Sequence, residues 1–266
     1  MNFKNKTVLI TGGASGIGKI MGQKVLEKGA KQLIIWDINE AGMTAVKEEF
    51  SALGKVATYK VDISDLDQIK IQAKQVKDDH DFVDVVINNA GIIVGKYFSE
   101  HTEKDIEKTM AINANAPIYI TQQFLPEMLE RNTGHICNIA SSAGLISNPK
   151  MSLYVASKWA VTGWSDSLRI EMQQLKKNIK VTTVTPYYIS TGMFAGVKSL
   201  VPILKPETAA RKIIRGIERH KIYVSMPWSV HFVRFAQGIL PVRVFDWFVG
   251  GVMGVYKTMD EFKGRQ

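Results

Sequence analysis

Residues 6–18 read KTVLITGGASGIG, and the fold follows from them. Lys6 to Thr11 is a short, β-rich apolar run, and it breaks directly into the glycine-rich turn Thr11–Gly18. Residues 16–28 then carry helical periodicity. Glycines at such a strand-to-helix turn let the backbone approach a pyrophosphate, and the helix N-terminus supplies amide donors and a positive dipole end. Gly12, Ala14, Ser15, Gly16, Ile17 and Gly18 are therefore candidate cofactor-binding positions. A glycine turn taken alone is also what any tight strand-to-helix connection uses.

The same alternation runs on from this unit. Strand-like segments are expected at 32–37, 55–62, 82–88, 135–140, 179–185 and 222–225. Helices are expected at 40–52, 65–78, 103–131, 153–176 and 206–220, with a bend near Pro117, because proline cannot donate the helical bond. Nearly unbroken apolar strands such as DVVIN predict burial on both faces. The expected fold is α/β: a doubly wound parallel sheet of about seven strands, a Rossmann arrangement in a single domain spanning 1–266. Residues 226–256 differ, with Trp228, Phe232, Phe235, Phe245, Trp247 and Phe248 interrupted by Arg234, Arg243 and Asp246, and read as an amphipathic appendage.

Composition excludes several classes. The chain has 266 residues, 45% apolar and 22% charged, which rules out disordered and collagen-like chains. One cysteine, Cys137, excludes an intramolecular disulfide and reads as a small buried hydrophobe. The five histidines show no metal-ligand spacing, so no metal is expected, and His135 reads as structural. No signal peptide or spanning segment is read, so the expected location is the cytoplasm or the periphery of a membrane. Net charge is +9, and from Lys198 onward 12 Lys/Arg stand against 5 Asp/Glu. Such a basic region suits nucleic acid, anionic lipid, an acidic substrate or plain solvent. No nucleic-acid module accompanies it, so that partner is not expected.

Asp37 ends the second strand, 19 residues after Gly18. A carboxylate there accepts from both adenosine ribose hydroxyls and repels a 2′-phosphate. Ala14 and Ile38 offer no cation for that phosphate, so NAD is expected over NADP. The alternative is that Asp37 caps the next helix. Asp62, after the third strand, is placed to bond the adenine amine or to start a turn. Asn89, Ala90 and Gly91 lie in NNAG, after the fourth strand and facing the same crevice, unless this is only an Asn-Gly turn.

Tyr154 and Lys158 stand i,i+4 in YVASK on one helix face. An ammonium held near a phenol favours the phenolate, so this tyrosine is expected to exchange a proton with an alcohol. Together TGGASGIG, NNAG, YVASK and Ser141, thirteen residues before Tyr154, resemble the short-chain dehydrogenases/reductases over residues 6–192. The resemblance implies Tyr154 as general acid/base, Lys158 as ribose ligand and tuner of Tyr154, Ser141 as hydrogen-bond partner of the substrate oxygen, and Asn113 as holder of a water leading to Lys158. It also implies that Pro186 and Thr191 meet the nicotinamide. Tyr187 stands where the family commonly has glycine, and with LVPILKPE (200–207) and the aromatic tail this resembles the retinol-dehydrogenase and 17-beta-hydroxysteroid-dehydrogenase-11-like branch. That branch acts on retinoids, steroids or other lipophilic alcohols. Its N-terminal membrane anchor has no counterpart in residues 1–10.

The implied function is hydride transfer between NAD and a lipophilic alcohol or carbonyl. The alternatives are an NADPH-dependent oxoacyl reductase and a non-catalytic NAD-binding or lipid-sensing protein. Substrate contacts are expected from Ser141, Tyr187, Met193 and Phe194, with 187–205 as a mobile lid that also carries Tyr188, Val197, Leu200, Val201 and Leu204. Ile92, Ile93, Leu145, Ile146 and Met151 are expected on the other walls. A homo-oligomer is expected through the helices at 103–131 and 153–176, the second presenting Ala156, Ala160, Gly163, Trp164 and Met172. Contact of 226–256 with a membrane surface is a further expectation, and packing over the substrate pocket or at a subunit interface is its alternative.

Overall fold

The computed structural model describes residues 1–264. Seven parallel strands form one sheet in the order β3-β2-β1-β4-β5-β6-β7. They are β1 (Thr7–Thr11), β2 (Gln32–Asp37), β3 (Lys55–Lys60), β4 (Val85–Asn88), β5 (Gly134–Ile139), β6 (Ile179–Pro186) and β7 (Tyr223–Met226). The order reverses beside β1, so the turns after β1 and β4 open into one crevice.

Alternation along β1 shows why these strands are apolar throughout. Val8 and Ile10 enter one core, with Met21, Val25, Ile213 and Ile217 from α1 (Gly16–Glu27) and α7 (Pro206–Glu218). Leu9 enters the opposite core, with Ile69, Phe124 and Leu168 from α3 (Leu66–Asp79), α5 (Ala116–Arg131) and α6 (Ser152–Gln174). Each apolar residue on a strand therefore has a helix to cover it, whichever face it points to.

Local chemistry sets the helix starts. Asn39 accepts from Gly42 N at the head of α2 (Glu40–Glu49), and Asp65 accepts from the amides of Asp67 and Gln68 at the head of α3. Thr102 and Asp105 form a reciprocal capping box on α4 (Glu103–Met110).

Three expectations need correction. β3 ends at Lys60, because the Asp62 carboxylate turns the chain by accepting from Ser64 N and Oγ. β4 begins at Val85, and Phe82 and Val83 are buried ahead of it. The long helix at 103–131 is interrupted by a π turn, Ala111–Asn115. Pro117 follows in the first turn of α5, where it has no N–H for the Asn113 carbonyl, and the backbone widens there instead of kinking. A second proline, Pro126, lies inside α5.

The appendage is two short helices, α8 (His231–Ile239) and α9 (Val242–Asp246), followed by a π-helical segment, Trp247–Val252. Among the described residues no helix is long and apolar enough to cross a membrane.

Candidate active site

One cleft runs across the C-terminal ends of the strands. Its walls include Gly12, Ser15, Gly16, Ile17, Asp37, Asp62, Asn89, Ala90 and Gly91 at one end. Ser141, Tyr154, Lys158, Pro186, Tyr187, Thr191, Met193 and Phe194 line the rest. The sequence-chosen residues are thus brought together, apart from Ala14, Gly18 and Asn113, which stand behind the wall.

Those three hold the wall in shape. Ala14 N donates to Asp37 Oδ2 at 3.0 Å, tying the glycine turn to the end of β2. Asp37 Oδ1 accepts from Asn39 N, and Asn39, not Asp37, caps α2. A Cβ on Gly18 would collide with the Gly12 carbonyl oxygen, so that helix turn packs directly on the loop backbone. Gly12 has φ +67° and lies so close to Ala90 that a Cβ would be 3.0 Å from its Cα. Asn89 Nδ2 donates to the carbonyls of Thr11 and Gly12, binding the turn after β4 to the turn after β1. Asn113, at the centre of the π turn, donates from Nδ2 to Ile92 O and accepts from Ile92 N, both at 2.8 Å. It is 1% exposed and also donates to Ser157 Oγ.

This geometry fits a dinucleotide. Bare backbone faces the cleft at Gly12, Gly16 and Gly91, and a Cβ on Gly91 would lie 3.2 Å from Asn113 Oδ1 and 3.7 Å from Lys158 Nζ. The amide-rich turn at the head of α1 suits a pyrophosphate.

The polar centre is buried. Ser141, Tyr154 and Lys158 are 8%, 5% and 4% exposed. Lys158 Nζ donates to Ile139 O at 2.9 Å and lies 5.6 Å from the Tyr154 ring centroid. Burial pulls the Lys158 ammonium from 10.5 down to about 8. Burial pushes the Tyr154 phenol up to about 12, opposed by its hydrogen bond with Ser141. Burial thus works against the depression of Tyr154 expected from Lys158, whose ammonium is directed at a backbone carbonyl. Ser141 Oγ also accepts from Ala143 N and donates to Pro186 O.

The outer part of the cleft is apolar and aromatic. Phe194 meets the Tyr154 and Tyr188 rings edge-on at 6.0 and 5.0 Å. Ile92, Ile146 and Met151 line it as expected, whereas Ile93 and Leu145 do not. Leu145 is buried, and its carbonyl accepts from Gln237 on α8. Leu200, expected to face substrate, is 78% exposed. Within the segment 187–205 Ile189 bridges Leu204, and Lys198 N donates to Thr258 O outside it. Lys263 N donates to Ala195 O.

Trp36, Ile63, Lys108, Asn148 and Val255 also line the wall without having been expected there, and Tyr188 lines it as expected of the 187–205 segment. Asn148 Nδ2 donates to the hydroxyls of Tyr188 and Thr258 at 3.0 and 2.8 Å. The only sequence signal for this cluster was Tyr188 itself, beside the anomalous Tyr187.

The comparisons with known proteins agree with this geometry. The family profile described as short chain dehydrogenase matches residues 6–200. The chain is 36% identical to epidermal retinol dehydrogenase 2 of Mus musculus over 272 residues, covering 100% of this chain and 87% of that protein. It is 34% identical to estradiol 17-beta-dehydrogenase 11 of Homo sapiens, over 89% of this chain and 79% of that protein. In fold it is similar to a short-chain dehydrogenase/reductase from Burkholderia phymatum in complex with NAD (TM-score 0.82, 24% identity, 90% of this chain and 95% of that one). It is also similar to a short-chain dehydrogenase from Sphingobium yanoikuyae in complex with NADPH (TM-score 0.78, 24% identity, 88% and 92%). With its sheet order and glycine turn, the chain belongs to the short-chain dehydrogenase/reductase family of oxidoreductases, in the branch that holds the retinol dehydrogenases and estradiol 17-beta-dehydrogenase 11.

Proposed function

We propose that this protein transfers hydride between NAD and the alcohol or carbonyl carbon of a lipophilic substrate of retinoid, steroid or fatty-alcohol type. The observation that carries this is the convergence of Ser141, Tyr154 and Lys158 at the junction of a glycine-lined dinucleotide cleft and an apolar, aromatic one. The curated relatives are named for retinol and estradiol, which suits the apolar walls.

A bound nicotinamide dinucleotide would supply the hydride acceptor or donor and, when oxidised, a positively charged ring. Gly12, Ser15, Gly16, Ile17, Asn89, Ala90 and Gly91 hold its phosphates and riboses, with Ala14 and Gly18 shaping the loop. Asp62 serves the adenine end, while Pro186 and Thr191 bound the nicotinamide end. Asp37 keeps one carboxylate oxygen on Ala14 N and the other on Asn39 N, and its charge repels a 2′-phosphate. That favours NAD.

Ser141 orients the substrate oxygen, and Tyr154 exchanges the proton with it. Burial raises the Tyr154 phenol and so favours its protonated form, which hands the proton to a carbonyl oxygen when that direction runs. Accepting a proton from an alcohol requires added positive charge near its oxygen, which Lys158 provides if it turns from Ile139 O. Asn113 positions the Ile92 backbone and, through Ser157, the helix that carries the pair. Tyr187, Met193 and Phe194 contact the apolar part of the substrate, with 187–205 as its cover within a single 1–266 unit.

The reading extends to a homo-oligomer. On α6 the exposed positions Ala156, Trp159, Ala160 and Gly163 form a face of small residues around one tryptophan, and nothing lies within 4 Å of a Cβ placed on Gly163. Met172, expected on this face, is buried against the sheet instead.

Steady-state turnover of a long-chain alcohol with NAD and with NADP tests the cofactor reading. NAD is expected to give the higher kcat/KM, and Asp37→Ser with Ile38→Arg is expected to reverse the order. A parent protein that prefers NADP contradicts the role of Asp37.

A further inference from the structure

The appendage has two apolar faces, and only one is used by the protein. Val233, Ala236 and Leu240 pack inward with Phe245, Val249 and Val255, on Ile146. Ile146 and Val255 line the cleft, so this layer roofs the substrate end. A second stripe, Trp228, Phe232, Phe235 and Ile239, repeats at intervals of four, three and four residues, which keeps it on one side of a helix. At 100° per residue that side is turned about 100° from the packed one. Trp228 and Phe235 are 73% and 66% exposed. Val242, Trp247 and Phe248 extend the uncovered surface along the next segment, with Trp247 at 67%.

The charge pattern of this surface selects its partner. Between Met226 and Val252 the only full charges are Arg234, Arg243 and Asp246. Asp246 accepts a hydrogen bond from Tyr256 OH, while Arg234 stacks on the Tyr223 ring. Exposed aromatic and aliphatic side chains flanked by arginines match the interface of an anionic bilayer, where apolar groups enter the acyl boundary and guanidinium groups meet phosphate.

We propose that the outer face of residues 228–248 docks on the surface of an anionic lipid bilayer. Docking there places the roof of the cleft against the bilayer, so that an apolar alcohol passes from lipid to Tyr154 without crossing water. This last step rests on the lipophilic-substrate reading, whereas the docking itself does not.

The test is flotation of the whole protein with vesicles of phosphatidylcholine containing phosphatidylserine, without substrate. The parent is expected to float with the vesicles at low salt and less at high salt. Phe235→Ser with Trp247→Ser is expected to weaken vesicle binding at least about tenfold, because two large apolar groups no longer leave water. Turnover of a short, water-soluble substrate is expected to stay unchanged in that variant, which reports an intact fold. Its turnover of a long alcohol dissolved in the vesicles is expected to fall. A parent that does not float, or a double variant that floats equally well, overturns the proposal. So does a parent that stays off vesicles and loses a dimer on substitution, since the surface would then belong to a second copy. If flotation holds but long alcohols are not turned over, docking stands and the substrate reading fails.

Discussion

Lys158 carries the sharpest conflict between stability and chemistry in the molecule. Its ammonium is buried, held by the Ile139 carbonyl, and pulled from 10.5 to about 8. A lowered lysine is a cost to folding. Below pH 8 the native state must bury the charge, and the cost is full. Between pH 8 and 10.5 the unfolded chain holds more protons than the native one, so stability rises with pH, and above 10.5 the cost is gone. Lys158→Met is therefore expected to stabilise the protein by about 2 kcal/mol at pH 7, with the gain shrinking as pH approaches 10.5. Denaturant unfolding at several pH values measures this. A difference that does not change with pH would mean that folding does not lower the Lys158 pKa. Activity is expected to fall in the same variant, because it removes the ammonium that lies beside the Tyr154 ring.

The turn after β1 is the element on which cofactor binding depends. Gly18 stands against the Gly12 carbonyl with no room for a methyl group. Gly18→Ala is expected to cost at least about 2 kcal/mol in stability and to abolish the rise in Tm that NAD gives the parent. Thermal unfolding with and without NAD reads both effects. A variant that keeps the NAD shift would show that the loop can reseat. This turn was legible in the sequence because its chemistry is local: a buried strand, glycines and a helix start within thirteen residues. The strands were legible for the same reason, since burial on both faces leaves unbroken apolar runs. Other parts of the site were not. Val255 and Thr258 reach the cleft wall and the Tyr188 hydroxyl from the far end of the chain, and no local pattern marks such contacts. Asn113 could be picked only by resemblance, because its place depends on the π turn that Pro117 forces. The burial around the Tyr154 phenol was not legible either, because charge proximity can be read from spacing, while desolvation depends on the whole surrounding core.

At the scale of the molecule, the protein presents two uncovered faces with different chemistry. On the outer face of α6 the exposed Ala156, Ala160 and Gly163 stand beside Trp159, and the proposed second copy would pack there. Gly163→Arg is expected to convert a dimer to a monomer in sedimentation while leaving the fold intact, since nothing in the same chain meets that position. A parent that is monomeric at micromolar concentration would remove the dimer. The aromatic face of the appendage lies over the roof of the cleft, so the substrate end, its cover and the uncovered stripe are consecutive layers of one region. The cleft they enclose joins an amide-rich, glycine-lined half to an apolar half, with Tyr154 at the junction. The cleft therefore sets the size and polarity of the substrate as well as the path of the proton. The most direct measurement is kcat/KM for NAD-dependent oxidation of a homologous series of primary alcohols, taken on the parent and on Tyr154→Phe. Each added methylene is expected to raise kcat/KM by up to about fourfold until the pocket is filled, and Tyr154→Phe is expected to lower the whole series by at least about 10²-fold with NAD affinity nearly unchanged. A preference for short polar alcohols, or a Tyr154→Phe enzyme within a few-fold of the parent, would contradict the account.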